Sequence, residues 1–344
     1  MHRIGTGGPA RGVLLAVVAV VLLAACGSDN NKTTTTKAQP KTVNVLAGLE
    51  DERDPNIVVT QFLPEAVSIT AGSTVEWRFA AVERHSVTFL APGQKPPTPG
   101  TPEAQALAKP SLPAVTTYDG TSLVNSGLRA PDATAAPSFS LTFPTPGQYT
   151  YVCVIHPQMT GRITVAGPEA TVDNQPGIND RADKELNMWL DEGRAAKKKL
   201  TDAGPKQVPK EDGTTAWTYE TGVSTEHTDV QAFVPDQGEV RPGDSVTFVN
   251  NSLSVHTATF ASGGQVPTNP DDPAAANATA PSPLVLRTTG GPYSSGSLPP
   301  AAPANAPPPP ESRSFTFVLP DAGAYPYVCL LHGRSRMSGS IKVA

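Results

Sequence analysis

Tyr149-Thr150-Tyr151-Val152-Cys153-Val154-Ile155-His156-Pro157-Gln158-Met159 decides how this chain is read. Its first half alternates as a strand does, with aromatic and β-branched residues at every second place. Directly after the strand, a thiol, an imidazole and a thioether fall within one short loop. The same grammar returns near the C-terminus, where Tyr325-Pro326-Tyr327-Val328-Cys329 is followed by His332 and Met337.

The recurrence extends well beyond the loops. Phe62-Leu63-Pro64 is repeated as Phe233-Val234-Pro235, Gly72 as Gly243, and His85-Ser86-Val87-Thr88-Phe89 as His256-Thr257-Ala258-Thr259-Phe260, each 171 positions later. Ser138-Phe139 through Cys153 is repeated as Ser314-Phe315 through Cys329, 176 positions later. The change of offset falls in the segment between, so the chain holds two copies of one fold. Each copy reads as short strands, among them Val67–Thr70, Val75–Phe79, Val87–Phe89 and the alternating Phe139–Phe143. Turns such as Pro146-Gly147 and Pro242-Gly243 separate them. No helix is expected inside either copy. The pattern predicts an all-β protein of two tandem Greek-key β-sandwiches, residues 43–167 and 213–344.

Residues 168–212 join the copies. Within them Ile178, Ala182, Leu186, Trp189, Leu190, Ala196 and Leu200 trace one apolar stripe at helical spacing. Asn179 or Asp180 is the expected cap, and Gly204-Pro205 the stop. This helix, Ile178 to Leu200, is expected to pack on one of the sandwiches and set their orientation. Two insertions rich in Pro, Ala, Gly, Ser and Thr, Ala91–Pro137 and Ala261–Pro310, read as elongated surface loops rather than central strands. A lid or docking flap at the loop end of each sandwich is the alternative.

The start of the chain is an address. Arg3 and Arg11 precede a short apolar run, Val13 to Ala25, too short to span a bilayer comfortably. Leu23-Ala24-Ala25-Cys26-Gly27 resembles the lipobox of bacterial lipoproteins. That resemblance implies a signal peptide at 1–25, a lipid on Cys26, and an extracytoplasmic protein anchored to the membrane at the periplasm or cell surface. Residues 26–42, polar and nearly without apolar side chains, read as a disordered tether. Without Arg3 and Arg11 the formal charge of −5 becomes −7, which offers nothing to a nucleic acid. Cys153 and Cys329 remain. They could pair in an oxidising compartment, but a disulfide would have to join two copies through equivalent strand ends.

The chemistry rests on four residues per copy. A thiolate favours Cu(I), imidazoles accept both copper states, and a weak thioether tunes potential without imposing a new geometry. A second imidazole must come from a distant strand. His85 stands 68 residues before Cys153, and His256 stands 73 before Cys329. Of the six histidines, His2 lies in the leader, four take these positions, and His227 is spare.

Gly-x-Tyr-x-Tyr-Val-Cys-x-x-His with an upstream His-x-x-Thr-Phe resembles the plastocyanin, amicyanin and pseudoazurin group of cupredoxins. The resemblance covers each sandwich but not the tether, helix or Pro-rich loops. It implies two coppers, one held by His85, Cys153, His156 and Met159 and one by His256, Cys329, His332 and Met337. Cys153-x2-His156-x2-Met159 has the short loop of amicyanin-like members, and Cys329-x2-His332-x4-Met337 the longer loop of plastocyanin. The residues before the upstream histidines, Val82-Glu83-Arg84 and Leu253-Ser254-Val255, depart from the Pro or Asn context of better-known members.

The family implies a carrier of single electrons that meets redox proteins such as cytochromes or membrane oxidoreductases and takes no small-molecule substrate. It also implies that electrons leave through the imidazole edges of His156 and His332, near the surface. Arg334 and Arg336 then suggest that copy two docks an acidic partner. A non-catalytic copper store is the competing reading. Two-domain cupredoxin enzymes such as nitrite reductases and small laccases need further histidines at the domain interface. Val152 and Val328 stand where such enzymes carry a His beside the Cys, and no His-x-His occurs. The chain is therefore not expected to be an enzyme.

Overall fold

A computed structural model describes residues 39–98, 101–111, 116–131, 137–156, 158–260, 282–288, 292–301 and 313–344. The leader, Cys26, the tether as far as residue 38 and most of the second insertion lie outside the described residues. In the first copy the strands are β1 Thr42–Glu50, β2 Ile57–Leu63, β3 Ala66–Thr70, β4 Ser73–Arg78 and β5 Thr88–Phe89. A short helix, α1 Pro102–Ala106, precedes β6 Val124–Asn125, β7 Ser138–Phe143, β8 Gly147–Val152 and β9 Thr160–Ala166. After α2 Gln175–Ala203 come β10 Lys206–Pro209, β11 Thr215–Ser224, β12 Thr228–Val234, β13 Gln237–Val240, β14 Ser245–Asn251 and β15 Thr259–Phe260. The chain ends with β16 Leu284–Val285, β17 Tyr293–Ser294, β18 Ser314–Val318, β19 Gly323–Val328 and β20 Ser338–Val343.

The protein is mostly β, as expected, with one main helix between the copies. Each copy closes a five-stranded sheet, β3-β9-β8-β5-β6 or β13-β20-β19-β15-β17, over its half of a single ten-stranded sheet. Trp77, Phe89, Phe143 and Tyr151 fill the first core. Phe248, Phe260, Phe317 and Tyr327 fill the second, at the equivalent places. Edge-to-face rings such as Trp77–Tyr151 and Phe248–Tyr327, both 5.1 Å apart, lock the layers together.

The large sheet is continuous because β2 and β12 pair antiparallel across the copies. Val58 lies opposite Asp229, its own counterpart 171 positions on, so a local pseudo-two-fold axis passes between them. All seven residues of both strands are buried. A third apolar cluster covers this seam: Ile57, Val59 and Leu63 with Val230, Ala232 and Val234 beneath Trp189 and Leu190 of α2.

The helix departs from expectation in two ways. It starts earlier, at Gln175, because Asn174 accepts the Gly177 N–H at 2.9 Å and Pro176 fits the first turn. It also lies across both copies rather than on one, since its apolar stripe meets β2 and β12 together. Gly193 makes that closeness possible. A Cβ there would sit 2.6 Å from Ile57 on one side and 2.9 Å from Thr228 Oγ1 on the other.

The first insertion is more structured than a surface loop. It contains α1, whose cap Thr101 accepts the Ala104 N–H, and it lends β6 to the small sheet. Its return stretch binds the backbone of His85 through two hydrogen bonds with Arg129, at 2.9 and 2.8 Å. In copy two, Leu298 does the same for His256. Local composition hid these pairings because their partners are remote strands.

Candidate metal centres

Both ligand loops close on their own backbone. The Cys153 N–H donates to Met159 O at 3.0 Å and the Met159 N–H to His156 O at 2.9 Å. In copy two the Cys329 N–H donates to Met337 O at 2.9 Å, while the two extra residues make a turn in which Gly333 N–H reaches Cys329 O at 2.9 Å. Met159 and Met337 are fully buried in their cores beside the cysteines. The upstream histidine arrives from the far side, at the start of the stretch that leads into β5 or β15.

Each copy brings two imidazoles and one thiol to a single point. In copy one, His85 Nδ1 and His156 Nδ1 are 3.1 Å apart and Cys153 Sγ is 3.4 Å from His156 Nδ1. In copy two, Cys329 Sγ lies 3.3 Å from His332 Nδ1 and 3.9 Å from His256 Nδ1. All donor atoms of each trio lie within 4.8 Å of one another. Both cysteines are free and buried, so no disulfide forms.

A second set of contacts was not anticipated from the sequence. The residue after each upstream histidine grips the cysteine loop twice. Ser86 N–H donates to Cys153 Sγ at 3.4 Å, and Val154 N–H donates to Ser86 Oγ at 3.0 Å. Thr257 N–H and Oγ1 treat Cys329 and Leu330 in the same way, at 3.4 and 2.9 Å. The signal was present in the repeat, as a hydroxyl residue directly after the histidine in both copies. An N–H aimed at sulfur favours its ionised form.

The charges of each trio reinforce one another. Burial opposes ionisation of Cys153, but the charge and hydrogen bond of His156, with those of His85, hold its thiol well below the usual range. Burial likewise opposes protonation of His156, yet Cys153 and Glu83 carry it well above the ordinary histidine value. Cys329 is held low by His332 and His256 against burial. His332 is pushed up to about 9 by Cys329, Glu83 and Asp229, again against burial. A thiolate and two imidazole nitrogens facing one point leave their lone pairs opposed unless a cation lies between them. Two nitrogens 3.1 Å apart can both reach one ion at metal–nitrogen distances of about 2.0 Å. The donor set suits a soft transition metal and fits copper.

A profile of the copper-binding proteins of the plastocyanin/azurin family matches residues 53–166. Copy one thus carries the signature of that family. Among solved structures it is similar to an amicyanin mutant in its Cu(I) form, at 18% identity over 36% of this chain and 82% of that one, with a TM-score of 0.23. It is also similar to plastocyanin from Dryopteris crassirhizoma, at 24% identity, 36% and 100% coverage and a TM-score of 0.22. A purple cupredoxin from Nitrosopumilus maritimus gives 17% identity, 36% and 99% coverage and a TM-score of 0.22. No curated protein sequence matches the chain.

The structure departs from the expected placement of the imidazole edges. His156 is 1% exposed and the His332 side chain 10%. Both rings turn their Nε2 atoms toward the seam between the copies, where Glu83 lies, its side chain 8% exposed. One carboxylate oxygen, Oε1, is 3.1 Å from His156 Nε2 and 4.0 Å from His332 Nε2. Burial would raise the Glu83 pKa, but its bond to His156 and the charges of His332 and His85 hold it well below the usual carboxylate range. Gln231 of β12 donates to its other oxygen, Oε2. Arg336 is no docking charge: its guanidinium binds Gln231 Oε1 at 3.0 Å and pairs with Glu50. The spare His227 stacks on Trp189, with centroids 4.9 Å apart and planes 7° apart, and its Nδ1 meets Glu192 at 2.9 Å. It is a seam residue.

Proposed function

We propose that this protein carries single electrons outside the cytoplasm, with one copper in each copy and a lipid on Cys26 holding it to the membrane. The observation that carries the reading is the convergence of one thiolate and two imidazoles, made twice by the same loop grammar. His85, Cys153 and His156, with Met159, would hold one ion. His256, Cys329 and His332, with Met337, would hold the other. Bound copper supplies a one-electron couple.

The chain's own residues keep that couple from reorganising. The small sheet and the ligand loop fix all donors before metal arrives, and Ser86 and Thr257 hold the two sulfurs by N–H bonds. Burial excludes water from each trio, and Glu83 orients His156 through its Nε2–H. The physiological partners on this reading are redox proteins, with no nucleic acid and no small-molecule substrate. His227 is committed to Trp189 and Glu192, which leaves no imidazole among the described residues for a further catalytic copper. The reading is therefore non-enzymatic.

Burial of both imidazole edges lends some weight to copper storage as a second reading. Copper loading with metal analysis separates the possibilities. The carrier reading expects two coppers per chain, intense thiolate-to-Cu(II) absorption and reversible reduction. Cys153→Ser and Cys329→Ser should each remove one copper and about half of the colour. Copper that binds but cannot be cycled would favour storage, and a colourless loaded protein would refute the carrier. Metabolic labelling with a lipid precursor, lost in Cys26→Ala, tests the anchor.

A further inference from the structure

Glu83 has no counterpart in the other copy. The position 171 residues later is Ser254, whose buried Oγ has no hydrogen-bond partner. The pseudo-two-fold axis places equivalent residues opposite one another, so His156 and His332 meet at the seam from opposite sides. A symmetric seam would put Ser or Glu at both places. This one instead places one carboxylate oxygen within 4.0 Å of both rings, and Gln231 fixes that carboxylate from β12. The separation of the two Nε2 atoms cannot exceed the sum of 3.1 Å and 4.0 Å. Arg336, also at the seam, pairs with Glu50 and Gln231, and the Ser224 hydroxyl donates to Asp229.

We propose that the His156 ring, the Glu83 carboxylate and the His332 ring form an internal conduit that passes single electrons between the two metal centres. The proposal rests on copper occupying both trios. With copper in both trios the balance would be one electron, given up at the reduced centre and taken up at the oxidised one. No bond forms or breaks, and the proton on His156 Nε2 stays in its hydrogen bond to Glu83. The molecule then works as a two-centre unit in which each copy's imidazole edge serves the other copy, which accounts for the burial of both edges. The conduit is one-sided by construction, since Glu83 comes from copy one, hydrogen-bonds its own His156 at 3.1 Å and lies 4.0 Å from His332 Nε2, an ion-pair distance and not a hydrogen bond.

The test uses the full chain loaded with two coppers. Pulsed EPR on the fully oxidised protein should show magnetic dipolar coupling between two Cu(II) ions, absent from Cys329→Ser. One electron injected by pulse radiolysis should then redistribute between the centres at a rate independent of protein concentration. Glu83→Ala, brought to two coppers per chain under excess metal, should lower that rate by a factor of ten or more while the dipolar coupling stays unchanged. Glu83→Gln, which retains a hydrogen-bond acceptor, should recover part of it. If Glu83→Ala does not fold, Gln231→Ala, which frees the carboxylate from β12, should slow redistribution in the same direction. Redistribution that scales with protein concentration, or an unchanged rate in the Glu83 or Gln231 variants, overturns the conduit and leaves the carrier standing. Absence of two blue coppers overturns both.

Discussion

Gly48 interrupts β1 at a bulge where the pairing with β2 shifts register, with φ at +73°. A Cβ at that position would lie 2.2 Å from His85 Nε2. Gly222 repeats the device in copy two, at φ +95° and 3.0 Å from His256 Nε2. The left-handed conformation alone costs a residue with a Cβ about 1–2 kcal/mol, and the ring must also move. Gly48→Ala should therefore lower the unfolding midpoint and weaken copper binding in copy one only, as read by denaturation and by copper stoichiometry under limiting metal.

The copies differ at the other face of this ring. His256 Nε2 shares a hydrogen bond of 2.8 Å with Ser252 Oγ, whereas Ala81 holds the equivalent place and His85 Nε2 has no partner. Groups that orient a ligating imidazole are typically worth about 10–100-fold in metal affinity. Ser252→Ala should cost copy two that much in a chelator competition titration and leave copy one unchanged. The convergence of each His-Cys-His trio could be read from sequence because spacing within a loop and within a repeat is local information. Glu83 and Gly48 could not, because what they touch arrives from another strand or from the other copy.

At the scale of elements, α2 shows where pattern reading succeeds and stops. The stripe from Ile178 to Leu200 revealed a helix, since 3.6-residue periodicity is written in one segment. What the stripe covers was not legible, because β2 and β12 become one surface only when two distant strands pair. The helix is also tied by charge. Arg194 clamps Asp51, at the end of β1, through bonds of 2.7 and 2.9 Å, and Lys197 holds Asp54. Asp51 is 2% exposed and Arg194 28%. The Arg194 hydrogen bond is the largest influence on Asp51 and holds its carboxyl below the ordinary value, against burial. A folded-state pKa below the unfolded one means the pair's stabilisation is complete above the unfolded value of about 3.9 and is lost as pH falls through the folded value. Acid should thus loosen α2 from β1 below about pH 4. Asp51→Asn should remove about 1–2 kcal/mol at neutral pH and flatten the acid limb of a stability-versus-pH curve measured by urea unfolding.

The whole molecule decides how far the two copies depend on each other. Two sandwiches on a linker would unfold separately, but residues 37–344 form one compact unit. Three features bind the copies: the ten-stranded sheet, the apolar cluster under α2 and the polar seam that holds both imidazole edges. Exposing β2 and β12, whose every residue is buried, would leave two unpaired edges and an apolar face in water. Opening the seam should therefore cost more than either copy can spare, and the two cores should melt together. Phe317→Ala tests this, since it truncates a side chain of the second core that lies far from the seam strands in sequence and is fully buried. A cavity of that size costs about 3–5 kcal/mol. If the copies are one cooperative unit, hydrogen exchange of the slowest amides in the first core, around Val75 and Leu141, should accelerate as much as that of the second core. Protection around Val75 and Leu141 that stays at wild-type level while the second core opens would show that the seam yields first and that the copies are stable apart.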